Sequence, residues 1–247
     1  MTRPPILFPL FAGLDTLEGV GEKTARAFEG LAVHRPRDLL FLLPHSGIDR
    51  ARRPSIRSVP LPATVTVEVT VNVHIAPSAR GRPHRVMVRD AQADFQIVFF
   101  HARGDYLTTL LPPGERRVVS GRVELFDGIA QMTHPDHILR PEDAGDLPGF
   151  EPVYPLAAGL TQKVLAKAAQ AAIRRAPELA EWIDGPLRTR EGWPGWREAV
   201  VAAHAPQMPG DLTNTAPARQ RLAYDELFAH QVTLALARSQ QRRAKGI

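Results

Sequence analysis

The chain has 247 residues, enough for one large domain or two to three small ones, and carries a net charge of +5 from 31 basic and 26 acidic side chains. That balance and the isoelectric point near 10.1 favour a polyanionic partner, while the absence of cysteine excludes disulfides and cysteine-type zinc sites. No apolar run approaches the roughly 18 residues that a membrane span needs, and the first residues lack the apolar run and the cleavage site of a signal peptide, so we expect a cytoplasmic protein without membrane contact.

Residues 1 to 58 are predicted to form a helical region of short helices separated by turns. In "LDTLEGVGEKTARAFEGLAV", apolar residues precede a Gly-Val-Gly turn and recur at helical spacing after it. The pattern resembles a helix-hairpin-helix element, in which backbone amides at Gly19 and Gly21 hold a phosphate and Lys23 adds positive charge. The alternative is a plain turn that packs two helices together.

Residues 59 to 147 change to a period of two. "ATVTVEVTVNVHI" alternates valine with polar residues, and "HRVMVRD" and "FQIVFF" continue as two more strands. "GDYLTTLLPPG" is predicted to be a short helix, and the two segments after it are strands joined at Asp127-Gly128, a strong hairpin signal. Three strands, a helix and two strands is the order of the five-stranded OB-fold barrel, which often binds nucleic acids.

Residues 148 to 247 are predicted to be helical. "LTQKVLAKAAQAAIRRA" is alanine-rich with Thr161 as its cap, and another helix begins near Pro194. The segment from Pro217 is predicted to be one helix of about 29 residues with a broad apolar side and a basic end. We expect it to be a linker toward domains that this chain lacks. The fold class is thus predicted as multi-domain α+β.

No motif indicates catalysis. "GVGEKT" lacks the spacing of a phosphate-binding loop, because Glu22 separates the glycine from Lys23 and no strand precedes it. "HPDH" places His134 and His137 on opposite faces of an extended strand, so their imidazoles are expected to diverge. Three acidic residues at helical spacing indicate a solvated face: Glu178, Glu181 and Asp184. We expect no catalytic residue, metal or cofactor in this chain.

Basic residues near the start of the predicted barrel fit a nucleic acid. "SARGRPHR" supplies Arg80, Arg82 and Arg85 around the loop between the first two strands. An OB-fold presents this loop beside its binding face, where it can hold a phosphate backbone. An ordinary solvated turn is the alternative.

Two aromatic residues stand out in "IVFFHARGDYL". Alternate residues of "FQIVF" share one strand parity and are predicted to fill the barrel, which leaves Phe100 on the outer side. Tyr106 borders the apolar face of the short helix. With Arg103 between them, the two rings fit stacking on unpaired bases. The alternative is that Phe100 packs beneath another segment.

Several segments, in order along nearly the whole chain, resemble the N-terminal part of the RecG family of bacterial branched-DNA helicases. They include "RPPILFPLFAGLDTLEGVGEKTA", "DLLFLLP", "VSGRVE", "QMTHPD", "PVYPLAAGLTQK" and "RLAYDELFAHQ". The resemblance implies a helical region, an OB-fold wedge domain and a helical linker to two ATPase motor domains, whose phosphate-loop and DExH-type segments are absent here. In the family, the wedge inserts at replication forks and Holliday junctions and splits the strands.

The same resemblance implies site residues and partners. A wedge phenylalanine and tyrosine just after the third strand stack on bases at the fork, and they match Phe100 and Tyr106. Branched DNA is the implied partner, single-stranded-DNA-binding protein a further one, and we expect a nucleoid-associated monomer. ATP and Mg²⁺ are expected only for the motor domains. The full-length family member is an ATP-dependent DNA helicase of recombination and repair, whereas this chain alone is expected to be inactive.

A second hypothesis is an OB-fold module that binds a protein partner and contacts DNA incidentally. The two hypotheses differ in their dependence on salt. Phosphate contacts from Arg80, Arg82, Arg85 and Arg103 predict a steep loss of affinity between about 50 and 200 mM salt. A protein-binding module is expected to be insensitive to salt over that range.

Overall fold

The computed structural model describes residues 3–79, 81–100 and 104–244, with the backbone alone for residues 241–244. The chain divides into two compact units. The barrel unit is Ile48–Glu151, and the helical unit combines Met1–Gly47 with Pro152–Ile247.

The elements follow the chain in the order helix, strand, helix that the sequence predicts. The α-helices are α1 (Glu22–Phe28), α2 (Pro36–Phe41), α3 (Gly104–Leu110), α4 (Gln162–Ile173), α5 (Gly185–Glu191), α6 (Trp196–His204) and α7 (Pro217–Ala244). The strands are β1 (Ser46–Asp49), β2 (Arg52–Arg53), β3 (Ala63–Ile75), β4 (His84–Arg89), β5 (Asp94–Phe99), β6 (Arg116–Phe126), β7 (Ile129–Thr133), β8 (His137–Leu139) and β9 (Phe150–Val153). Short 3-10 helices span Pro5–Leu10, Leu14–Thr16, Glu29–Leu31, Ile56–Ser58, Glu142–Asp146 and Pro209–Leu212.

The barrel unit is built on a sheet of seven strands in the order β2-β3-β4-β5-β7-β6-β8. A further pairing between β3 and β6 closes the five central strands into a barrel, with β5 and β7 parallel and the other barrel pairs antiparallel. This is the OB-fold order, so the predicted fold class is confirmed. Strands β2 and β8 extend the sheet and are too short for an alternating pattern to reveal them. Strands β1 and β9 pair in a separate two-stranded sheet.

The barrel core follows from the alternation of apolar residues. Val65, Val67, Val69 and Val71 of β3 and Phe95 and Ile97 of β5 are at most 2% exposed. Val73 lies beyond a register shift in the pairing of β3 with β4 and is 53% exposed. Leu107 of α3 and Leu111, which directly follows α3, belong to the same core, and both are completely buried. Burial of each such side chain contributes about 1.5–3 kcal/mol, so the alternation determines which side of each strand faces inward.

The hairpin between β6 and β7 is where the sequence predicts it. Asp127 and Gly128 have φ of 50° and 76°, and Phe126 pairs with Ile129 across the turn. Two consecutive residues in the left-handed region make the tight turn that matches the twist of the flanking strands.

The helical unit joins the first and last parts of the chain in one core. Leu10, Phe28 and Leu39 from the N-terminal part pack in the same cluster as Leu165 and Leu222 from the C-terminal part. The compact units therefore divide at residues 47/48 and 151/152, whereas the sequence pattern changes at 58/59 and 147/148. The three-domain division that we predicted at those boundaries stays a prediction.

Two local features of the helical unit differ from expectation. The first helix of the predicted helix-hairpin-helix element is only the 3-10 turn Leu14–Thr16. The interpretation of residues 178–184 as a solvated helical face is wrong, because they lie between α4 and α5. There Asp184 caps α5 by accepting a hydrogen bond from the Leu187 amide (3.2 Å). Glu181 accepts hydrogen bonds from the buried Arg221.

Candidate nucleic-acid interface

The predicted contacts of the barrel unit gather at one end of it, which we call the α3 end. It comprises the end of β3, the start of β4, the end of β5, helix α3 and the start of β6. The pairing of His84 with Phe99 brings the start of β4 to the end of β5. Arg117 Nε donates to the Leu110 carbonyl oxygen (3.0 Å), which brings the start of β6 to α3. The hairpin of β6 and β7 lies at the opposite end of the same strands.

Phe100 follows β5 at the α3 end and is 43% exposed. Its neighbours of the other parity are buried in the barrel, as the alternation predicts. The Phe100 amide donates a hydrogen bond to Nε2 of His134 (3.1 Å), and the two rings lie 5.9 Å apart between centroids. The backbone and one side of the ring are thus supported, while the rest of the ring is open to solvent.

The segment that supports Phe100, residues 134–137, is held by a buried arginine. Arg50 is 3% exposed and donates hydrogen bonds to Asp136 (2.8 Å), Ser120 Oγ (3.0 Å) and Glu151 (2.8 Å). The pKa of Glu151 is lowered, chiefly by its hydrogen bond with His137 and further by Arg50. "HPDH" is therefore a structural segment that positions His134 beside Phe100. Over the part of the chain that the structure describes, no group of three or more His, Cys, Asp or Glu side chains is arranged to hold a metal.

Tyr106 lies on the solvent side of α3 and is 63% exposed. Leu107, next to it, is fully buried, because successive helix positions point about 100° apart and the apolar side of α3 faces the barrel. Tyr106 therefore presents its ring outward near the end of β5. Arg103, predicted to lie between the two aromatic residues, is outside the described residues.

Arg85 is placed beside Phe100 by the register of β4 and β5. It pairs with Val98 on the outer side of the barrel, and a diagonal neighbour two residues along is about 7–8 Å away. Arg85 and Arg82 are both exposed, and neither side chain has a hydrogen bond or ion pair with a described residue. Their guanidinium groups are thus available to a phosphate. Arg80 lies outside the described residues.

Two histidines at the α3 end, His74 and His84, are hydrogen-bonded to each other. His74 Nε2 lies 2.8 Å from the Leu111 carbonyl oxygen, which can only accept, so Nε2 of this ring donates. Its Nδ1 then accepts from Nε2 of His84 at 2.9 Å. Burial and the nearby His74 lower the pKa of His84. The histidine pair links the end of β3 to the start of β4 and to the residue that follows α3.

The barrel unit carries no net charge, but some of its arginines are free of carboxylate partners within the described residues. Basic and acidic residues are equal in number between residues 48 and 151, so the net charge of +5 comes from the rest of the chain. Several arginines of the barrel unit are bound to carboxylates, among them Arg53, Arg89 and Arg116. Others are exposed and have no side-chain partner among the described residues: Arg52, Arg57, Arg82, Arg85, Arg122 and Arg140. A polyanion therefore meets individual free arginines rather than a uniformly basic surface.

Sequence reasoning missed an apolar surface at the hairpin end. Leu125, Phe126 and Ile129 flank the Asp127-Gly128 turn and are 63%, 57% and 52% exposed. The signal was present in "VELFDGIAQ", where apolar residues continue up to a turn that extends beyond the barrel. In an OB-fold this loop flanks the binding face together with the loop between the first two strands.

The third predicted binding element is the glycine turn of the helical unit, which contains Gly19 and Gly21. Gly19 has φ of +80°, which favours glycine, and a side chain there would meet Lys167 at 3.3 Å. Gly21 precedes α1, with open space around its Cα, and Lys23 is exposed. Lys167 pairs with Glu18 (3.1 Å), next to the turn. Phosphate binding by Gly19, Gly21 and Lys23 stays a prediction.

The family model described as "RecG wedge domain" matches residues 14–175. The chain belongs to the RecG wedge-domain family. ATP-dependent DNA helicase RecG of Pasteurella multocida (strain Pm70) is 26% identical over 231 residues, which cover 90% of this chain and 33% of the relative. RecG of Escherichia coli (strain K12) is 28% identical over 243 residues, covering 93% of this chain and 34% of the relative.

A solved structure shares the fold of this RecG wedge-domain chain. The structure of RecG bound to a three-way DNA junction aligns with a TM-score of 0.73 at 22% identity, over 95% of this chain and 32% of that one. The chain thus spans about a third of the length of the RecG proteins it matches. Among the described residues, no helix is long and apolar enough to cross a membrane.

Proposed function

We propose that this chain is the branched-DNA-binding wedge of a RecG-like ATP-dependent DNA helicase that acts at replication forks and Holliday junctions in recombination and repair. The observation that carries the proposal is the exposure of Phe100 and Tyr106 at the α3 end. A ring that is half open to solvent gains little from folding and presents its face to a partner.

The chemistry of the α3 end suits strands that have just parted. Unpaired bases expose π-faces, and a stacked base contributes about 1–3 kcal/mol to binding. Phe100, fixed by His134, and Tyr106, on the solvent side of α3, offer two such stacking partners. Arg82 and Arg85 supply free guanidinium groups for the phosphates of the same strand. The wedge then recognises a fork by its separated strands rather than by sequence.

Other parts of the proposal come from the RecG relatives. ATP and Mg²⁺ binding and ATP hydrolysis are proposed only for motor domains outside the part of those helicases that this chain matches. Phosphate contacts by Arg80 and Arg103, which lie outside the described residues, are also part of the proposal. Single-stranded-DNA-binding protein as a further partner, a monomeric state and association with the nucleoid are proposed on the same family resemblance.

Replacement of the two aromatic residues tests the proposal. We expect Phe100→Ala and Tyr106→Ala each to weaken fork binding by about 1–3 kcal/mol in a gel-shift titration, because each removes one stacked base. Phe41→Ala is the matched control, since Phe41 is 54% exposed but lies in the helical unit. Circular dichroism establishes that all three variants remain folded. Unchanged fork affinity of both barrel variants would exclude the assigned role.

A further inference from the structure

A recess of about 280 Å³ opens beside Tyr106 at the α3 end. Tyr106, Thr109 and Leu110 of α3 form one side of it, and Arg117 at the start of β6 contributes to another. Residues of β8 and the segment after it, including Ile138 and Arg140, complete the lining. The recess therefore lies within the barrel unit and shares Tyr106 with the proposed DNA interface.

The walls of the recess differ in character. Leu110 and Ile138 are partly buried and belong to the edge of the barrel core, so they give an apolar surface. Arg117 is 7% exposed and is fixed by hydrogen bonds to the Leu110 carbonyl oxygen (3.0 Å) and to Glu115 (2.9 Å). These bonds use its Nε and Nη1, and its Nη2 has no acceptor among the described residues.

Arg140 supplies a second guanidinium group at the recess. It is exposed, and its side chain has no hydrogen bond or ion pair with a described residue. Asp143 also lines the recess, without an ion pair to Arg140. Planar guanidinium groups match the oxygens of a phosphate better than a point charge does.

We propose that this recess binds one unpaired nucleotide of a DNA strand, with the base between Tyr106 and the apolar wall and the phosphate at Arg140. The inference rests on the proposed function. Its volume lies just below the 300–1,000 Å³ of typical small-molecule sites, which suits one flat base rather than a larger ligand. The combination of an exposed aromatic ring, an apolar wall and two guanidinium groups matches the base and the phosphate of a nucleotide.

Arg140→Gln tests the phosphate contact, with Arg57→Gln as the matched control. Both arginines are exposed, lie in the barrel unit and lack side-chain partners among the described residues, but only Arg140 lines the recess. We expect Arg140→Gln to weaken binding of a synthetic fork about tenfold, the effect of losing one charge-assisted hydrogen bond. The slope of log K against log salt should fall by about 0.7, the value for one phosphate on a single strand.

Thr109→Glu tests the recess independently, with the isosteric Thr109→Gln as its control. Thr109 is exposed on α3, and both replacements remove the same hydrogen bond from its hydroxyl to the Asp105 carbonyl oxygen. The carboxylate of Thr109→Glu would compete for Arg140 and repel the phosphate. We expect Thr109→Glu to weaken fork binding several-fold relative to Thr109→Gln.

The outcomes separate this inference from the proposed function. If Arg140→Gln binds forks like Arg57→Gln, or Thr109→Glu binds them like Thr109→Gln, the recess does not hold the nucleotide. The proposed function still stands in that case, provided that Phe100→Ala weakens fork binding. If the unaltered chain does not prefer forks to duplex, the proposed function itself fails and takes this inference with it.

Discussion

At the scale of single residues, Arg50 connects stability to the candidate site. It is buried with three polar partners on different segments of the barrel unit, and one of them, Asp136, belongs to the segment that carries His134. His134 in turn accepts the hydrogen bond from the Phe100 amide. Phe100 is therefore positioned by a chain of contacts that begins in the interior. No sequence pattern joins positions 50, 120, 136 and 151, so this network was not predictable.

Removal of the Arg50 charge should affect both folding and binding. We expect Arg50→Met to lower the free energy of unfolding by about 1–3 kcal/mol, because the buried Ser120 hydroxyl and the partly buried Glu151 lose their charged partner. Fork affinity should fall as well, since the segment that supports Phe100 is released. Arg53→Met is the control, because Arg53 pairs with Asp49 at a much more exposed position. Urea denaturation and a fork titration measure the two effects, and equal stability of the two variants would contradict the account.

Two buried histidines predict how stability depends on pH. Burial is the main cause that lowers the pKa of His84 and of His204. Nδ1 of His204 accepts from the Tyr154 hydroxyl (3.0 Å), and Nε2 donates to the Leu40 carbonyl oxygen (3.1 Å), so the neutral ring satisfies both partners. The unfolded chain binds these protons more readily than the folded chain. Stability is thus fully present above the unfolded pKa near 6.5 and is lost as pH falls through the lower folded pKa.

Urea denaturation between pH 7.5 and 5 measures this dependence. Each histidine contributes a slope of at most about 1.4 kcal/mol per pH unit. His204→Gln, which keeps one donor and one acceptor, should reduce the slope while retaining the fold. A free energy of unfolding that rises on acidification over this range would show that the histidines are not buried in the neutral form.

At the scale of elements, the sequence predicted strands and helices correctly where apolar residues recur at a regular spacing. The alternation of β3 predicts the buried valines up to Val71, whereas Val73 and Ile75, beyond a register shift, are exposed. Thr161 caps α4 by accepting a hydrogen bond from the Val164 amide (3.3 Å), as predicted. The 28 residues of α7 also agree with the prediction of about 29. The predicted apolar side of α7 is only partly covered: Leu222 is buried, whereas Leu227 and Leu236 are more than 60% exposed. Periodicity identified the helix but not which part of it is covered.

The start of α7 is attached by an ion pair that local patterns do not reveal. Arg221 is completely buried and donates to both oxygens of Glu181 (2.8 and 2.9 Å) and to Asp225 (3.0 Å). The hydrogen bond from Arg221 is the largest of the effects that lower the pKa of Glu181 to about 2. Glu181 lies forty residues before Arg221 in the chain, so no local pattern predicts their ion pair. The spacing of the acidic residues around Glu181 indicated a solvated helical face instead.

Two arginine replacements that share Glu181 measure what burial contributes. We expect Arg221→Met to lower the free energy of unfolding by about 3 kcal/mol, since two carboxylates lose a buried partner. Arg188→Met removes an ion pair with the same Glu181, but at a side chain that is 39% exposed, and should cost less than about 1 kcal/mol. Thermal unfolding of the two variants compares them directly. Similar losses would contradict the assignment of Arg221 as the anchor of α7.

At the scale of the whole molecule, the order of elements was predictable but their grouping was not. Alternating and helical periods identified the barrel and the helical regions in chain order. The packing of Leu39 against the same core as Leu165 depends on contacts more than a hundred residues apart, which no local pattern encodes. Strand parity predicted the outward position of Phe100, although Gln96 and Val98 of the same parity are buried, and the recess at Arg140 could be found only from the fold. The net charge was a poor guide, because the barrel unit contributes none of it.

The central claim is that exposed rings and free arginines at the α3 end recognise parted strands. The most direct test compares the affinity of this chain for a three-way fork with its affinity for a linear duplex of the same sequence and length at about 100 mM salt. Stacking on one or more unpaired bases predicts at least about tenfold tighter binding to the fork, and affinity that falls steeply as salt rises. Equal affinity for the fork and the duplex would contradict the account.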